Sequence, residues 1–172
     1  MLSRHITVLG TAISLGLAGA VYAADGGMSK DEYKAEKDRI SKEAKAEKDK
    51  CKGMSGNAKD ICNAEAKGHE KVAKAELEAR NKNTAKAQYN VAVAKADAEY
   101  DVAKERCDDK SGKDKDACKK EAKATHKQEK ADAKAGMKTA DARNDARAAK
   151  RDAAAEKREA RAEKREAEAG KK

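Results

Sequence analysis

The chain has 172 residues, 42% of them charged, a formal net charge of +9, and no Phe, Trp or Pro. Beyond residue 23 the large aliphatics are seven, from Ile40 to Val102, too few to fill the core of a conventional globular domain. The polar majority is Ala, Lys, Glu and Arg, the strongest helix formers, so helix rather than random coil is the expected state.

The amino terminus reads as a secretory signal peptide over residues 1–23. Arg4 and His5 give a basic start, Ile6 to Ala20 is apolar, and Val21-Tyr22-Ala23 offers small residues for cleavage after Ala23. An uncleaved anchor fits less well, because the apolar run is short for a span and carries Gly10, Gly16 and Gly19. No Cys follows it to mark a lipoprotein, and no later segment approaches membrane-spanning length. Cleavage takes away Arg4 and lowers the formal charge of +9 by one. Residues 24–29 then form a flexible mature start, and the expected address is the periplasm.

A repeat organises the middle of the chain. Shifted by 56 positions, Cys51-Lys-Gly-Met-Ser-Gly-Asn-Ala-Lys-Asp-Ile-Cys62 returns as Cys107-Asp-Asp-Lys-Ser-Gly-Lys-Asp-Lys-Asp-Ala-Cys118. Ser55, Gly56, Lys59 and Asp60 recur as Ser111, Gly112, Lys115 and Asp116. Glu65-Ala66-Lys67 recurs as Glu121-Ala122-Lys123, and Tyr33 as Tyr89.

Each copy has the pattern of helix, short turn, helix. Tyr89, Val93, Ala96, Tyr100, Ala103 and Cys107 alternate spacings of four and three, which is one helical stripe. The first copy keeps Tyr33, Ile40, Ala44 and Cys51 on that stripe but places Lys37 and Glu47 in it. After the first turn Ile61, Gly68, Val72, Ala75 and Ala79 form a returning stripe. The Ser-Gly pairs with nearby Asn or Asp supply turn chemistry. The expected fold is all-α: antiparallel helical hairpins over 30–81 and 85–136, joined by a connector at 82–84. The hairpins are expected to pack weakly on each other, in an extended rather than compact shape. Four cysteines allow three pairings. Cys51–Cys62 with Cys107–Cys118 is favoured, since both copies keep the spacing and each closure is local.

Residues 137–172 are low-complexity and charged, predicting a long helix that continues the last hairpin arm. Its four-residue pairs Lys157/Arg161, Glu159/Glu163 and Arg161/Arg165 are like-charged, so internal ion pairing helps little. Glutamates and arginines lie on separate stripes, a pattern suited to a partner helix or a charged surface, beside the simpler reading of a solvated tail.

Sites of chemistry are hard to find. The ten-residue intervals between cysteines do not match zinc spacing, and no CxxC or haem-attachment motif occurs, so the cysteines read as structural disulfides. His69 and His126 fall one position out of register between the copies and read as solvated helix residues. The acidic cluster from Asp108 and Asp109 through Asp114 to Asp116 lacks the ligand order of a calcium loop, with Lys110, Lys113 and Lys115 beside it. No nucleophile with a base, no phosphate loop and no metal or cofactor site is legible, so no enzyme is expected. Nucleic acid is disfavoured as a partner by the 32 interleaved acidic residues and the scarcity of stacking aromatics.

Leader, twin Cys-x3-Ser-Gly-x2-Lys-Asp-x-Cys units followed by Glu-Ala-Lys, and lysine/alanine-rich helix together resemble small periplasmic proteins of β-proteobacteria. Those are loosely labelled TolA-like cell-envelope proteins. The resemblance to the family covers nearly the whole chain; the likeness to TolA itself rests on the alanine/lysine-rich helix alone. It implies a periplasmic helical protein of the envelope and carries over no functional residues. The expected role is therefore a non-enzymatic structural or interaction protein. Its partners would be another helical protein, a second copy, or an anionic envelope surface held by weak electrostatic contact. The rival is a binding module, either a holdase-like chaperone or a binder of anionic envelope components or cations.

Overall fold

The computed structural model describes residues 27–169, and helix accounts for 93% of them. The expected signal peptide and its cleavage point lie outside the described residues. Four α-helices follow in order: α1 (Lys30–Lys50), α2 (Gly56–Lys82), α3 (Ala85–Asp108) and α4 (Gly112–Ala169), with a 3-10 turn at Cys51–Gly53 between the first two. Among the described residues no helix is long and apolar enough to cross a membrane.

Local chemistry sets the helix ends. Ser29 begins α1 with a capping box: its Oγ accepts from the Glu32 N–H at 3.2 Å, and the Glu32 carboxylate accepts from the Ser29 N–H at 3.0 Å. Gly56 and Gly112, equivalent in the two repeats, open α2 and α4 at φ +58° and +53°. Only glycine enters that left-handed region without a steric cost. Asn83 ends α2 at φ 43°, and its N–H donates to the Ala79 carbonyl at 2.9 Å. Thr84 at once starts α3 by accepting from the Ala87 N–H at 3.1 Å.

The burial pattern shows how the helices stack. The buried Ile40 and Ala44 of α1 and Cys51 of the turn that follows make a single stripe. In α2, by contrast, Ala66 and Gly68 are both buried, as are Leu77 and Ala79; in α3 so are Ala94 and Ala96. Residues two apart lie about 200° apart around a helix, so α2 and α3 each bury opposite sides. The four helices therefore form a row in which each touches only its neighbours in the chain.

The most extensive interface in that row joins the hairpins, between α2 and α3. The expected weak packing of one hairpin on the other is therefore wrong. The reason is side-chain size: small residues let two backbones approach. A Cβ built on Gly68 would stand 2.8 Å from the Cβ of Ala98. Gly68 thus faces α3, and the returning stripe to which it was assigned does not serve the first hairpin's seam alone. Leu77, outside that stripe, is the most deeply buried large side chain at 1% exposure.

Helix α4 has 58 residues and is roughly 87 Å long, far longer than its neighbour α3. It passes the start of α3 near residue 140. Every side chain described from Asp141 to Ala169 is exposed. Among the described residues no ion pair involves a side chain beyond Lys130, in keeping with the like-charged spacings of the tail.

Candidate functional site

The cysteines close both turns. Cys51 pairs with Cys62 across a Cα–Cα distance of 5.7 Å, and Cys107 with Cys118 across 5.6 Å. Each joins the last turn of one helix to the first turns of the next, on the side where the two arms face. Cys51 and Cys107 are each 1% exposed, so the cystines also act as core side chains where aliphatics are few. Because the helices alternate in direction, both turns lie at one end of the row. There the Asn57 side-chain amide donates to the Glu105 carbonyl at 2.7 Å, tying the first turn to the end of α3.

One polar cluster joins three helices. Asp97 of α3 accepts from Lys71 of α2 at 2.5 Å and contacts His126 Nε2 of α4 at 2.6 Å, with Lys130 at 3.4 Å. Burial pushes the Asp97 carboxyl upward, but the bonds from Lys71 and His126 outweigh it and hold it at about 2. The His126 ring stacks on Tyr100, with centroids 4.6 Å apart and planes 14° from parallel. Its side chain is only 18% exposed. His126 is thus not the solvated helix histidine expected from its surroundings in sequence. His69 is one: its side chain is 70% exposed, with Nδ1 3.1 Å from Glu47.

A groove of about 970 Å³ runs along α3 between α2 and α4. Its lining includes the small apolar residues Val72 of α2, Ala98, Val102 and Ala103 of α3 and Ala122 of α4, together with the stacked Tyr100 and His126. On the α2 side the carboxylates are satisfied: Glu65 pairs with Arg106 at 3.1 Å and Glu76 with Lys95 at 2.9 Å. On the other side Glu99, Glu121 and Glu129 have no cationic partner among the described residues. Burial, then the facing Glu99, pushes the Glu129 carboxyl above the usual carboxylate range. A second, smaller groove of about 540 Å³ between α1 and α3 shares Ala73, Glu76 and Lys95 with the first, so both open on one face of the row.

In the acidic cluster at the second turn, Asp108 is held by ion pairs. Asp108 contacts Lys119 at 2.7 Å and Lys115 at 3.0 Å, which hold its carboxyl below the usual range. Among the described residues no three His, Cys, Asp or Glu side chains converge as metal ligands. The sequence missed the Asp97–His126–Tyr100 cluster and the groove; the alanine pairs two residues apart were the available signal. A comparison of the chain with known protein families, characterised proteins and solved structures finds no match.

Proposed function

We propose that the chain is a non-enzymatic interaction protein of the bacterial cell envelope, a cystine-pinned helical scaffold that presents a charged helix in the periplasm. One observation carries this reading: α4 projects about 43 Å beyond the start of α3 with every side chain described there exposed. A helix held outside the packed row contributes nothing to its own fold, while its segregated charges and alanines suit contact with another helix. The paired cysteines support an oxidising compartment. The rival holdase reading has little to draw on. Among the described residues Met54, 45% exposed, is the exposed large hydrophobic, and holding an unfolded client needs contiguous apolar surface.

The test is to place a photo-crosslinking residue at Ala149 in the protein expressed in its own cells. Release with the periplasmic fraction, an amino terminus at Ala24, and tail-specific crosslinks to a discrete protein species support the proposal. Cytoplasmic retention, or no protein crosslink from the tail, sinks it.

A further inference from the structure

The groove between α2 and α4 and the projecting part of α4 complement each other. Along α3 the groove reaches from Lys95 to Lys110, roughly 22 Å, the length of about fifteen helical residues. Its lining is mostly small, with Val72, Ala98, Val102, Ala103 and Ala122 beside the stacked Tyr100 and His126 rings, and a helix with a small-residue face suits such a surface. The groove also has an electrostatic asymmetry. The carboxylates of its α2 wall are paired, while Glu99, Glu121 and Glu129 face it without a cationic partner among the described residues; burial, then the facing Glu99, raises the Glu129 carboxyl.

The exposed tail has the matching pattern. Ala142, Ala146, Ala149 and Ala153 alternate spacings of four, three and four, giving one small face. Arg143, Arg147 and Lys150 each follow one of these alanines and so line one flank. Asp141, Asp145 and Asp152 each precede one and line the other flank. From Ala142 to Arg158 six basic residues outnumber three acidic ones. Reversing a helix in a groove exchanges its flanks, so only one direction brings the basic flank to the carboxylates. The tail cannot reach the groove of its own chain, because α4 is one continuous helix that already forms a wall of it.

We propose that the groove between α2 and α4 seats residues 142–158 of α4 from a second copy of the chain, in a head-to-tail contact with one fixed polarity. The incoming helix packs over α3, flanked by α2 and α4, and brings arginines to Glu99 and Glu129. Each copy offers one groove and one tail, so the contact is heterologous. The proposal rests on the interaction-protein reading and supplies its partner.

Sedimentation of the purified protein over a range of concentrations tests it. The unaltered chain should show a mass that rises with concentration. A chain ending at Ala140 keeps the packed row but has no tail, and should stay monomeric. Glu99→Lys with Glu129→Lys should weaken association at least about tenfold, the scale of lost charge contacts at an interface. Ala146→Glu with Ala149→Glu lies on the unpartnered helix, so it cannot act through misfolding, and should weaken it as much. The decisive sample mixes the Ala140-terminated chain, groove intact, with the Glu99→Lys/Glu129→Lys chain, tail intact. A one-to-one complex from two variants that are monomeric alone is the expected result. A monomeric unaltered chain overturns the proposal. So does association that survives loss of the tail or reversal of the groove charges, the latter indicating tail-to-tail pairing. Crosslinks from a monomer to a different envelope protein leave the interaction role standing and overturn only the second-copy seat.

Discussion

Gly68 of α2 lies so close to Ala98 of α3 that a Cβ on the glycine would stand 2.8 Å from the alanine's methyl carbon. This approach is what lets a chain with few large side chains join its two hairpins. Alanine and glycine bury little area each, but they bring two backbones within range along their length. Gly68→Val should force the helices apart and cost about 1–3 kcal/mol as an overpacked interior. Ala98→Gly in the same chain should recover most of that loss. Thermal unfolding of the single and double variants checks this, and a neutral Gly68→Val means that α2 and α3 are not closely packed.

The cystines should matter unequally. Each closes a short loop, with a sequence separation of 11, and on the loop-entropy account stabilises by about 3 kcal/mol. Helix α1 has the least extensive interface of the row, so it depends most on its bridge. Cys51→Ser with Cys62→Ser should expose the amides of α1 to rapid hydrogen exchange while α2 and α3 stay protected. Cys107→Ser with Cys118→Ser should lower the melting temperature with a smaller local effect. Equal exchange in all four helices after either change contradicts this order.

The Asp97 cluster sets an acid limit. Its carboxyl is held at about 2, below the ordinary aspartate value near 4 in the unfolded chain. A depressed carboxyl contributes stability that is complete above the unfolded value and is lost as pH falls through the folded one. Stability should therefore decline between roughly pH 4 and pH 2, and Asp97→Asn should flatten that part of the curve. At neutral pH the same variant should cost about 1–3 kcal/mol through its charged hydrogen bonds. Denaturant titrations of both proteins across this pH range decide the matter; parallel curves reject the assignment.

The two turn glycines make a matched control. Gly56 and Gly112 have open space where a Cβ would stand, so only backbone conformation opposes substitution. Gly56→Ala and Gly112→Ala should each cost about 1–2 kcal/mol, the penalty of left-handed geometry. Asn at either site should cost less than Ala, as Asn83 illustrates at φ 43°. Chemical denaturation of the four variants measures both differences.

The all-α fold and both cystines were legible in the sequence because the signals behind them are local. A cysteine pair bracketing a Ser-Gly turn states its own closure, and repetition of the spacing favours the local pairing. The packing of α2 on α3 was hidden for a physical reason. In a chain where alanine is everywhere, one seam of alanines does not stand out from the helical background. His126 was hidden because its contacts are remote: Asp97 is 29 residues away, and nothing near the histidine in sequence announces it. The charge pairing at the second turn was visible as a cluster, but Lys119, which holds Asp108 most strongly, lay outside the lysines that suggested it.

The alternation of the row has a mechanical consequence. Helix α1 starts, and α4 departs, at the end opposite the two cystines. Tension between the start of α1 and the tail of α4 therefore loads the outer interfaces at one edge, peeling each outer helix from its neighbour turn by turn instead of sliding it lengthwise. Peeling proceeds toward Cys51–Cys62 on one side and Cys107–Cys118 on the other, and stops at a covalent bond on both. The α2–α3 pair, the most extensive contact, lies beyond those stops. In a molecule built this way the outer helices yield first under load, and the α2–α3 contact carries the load next.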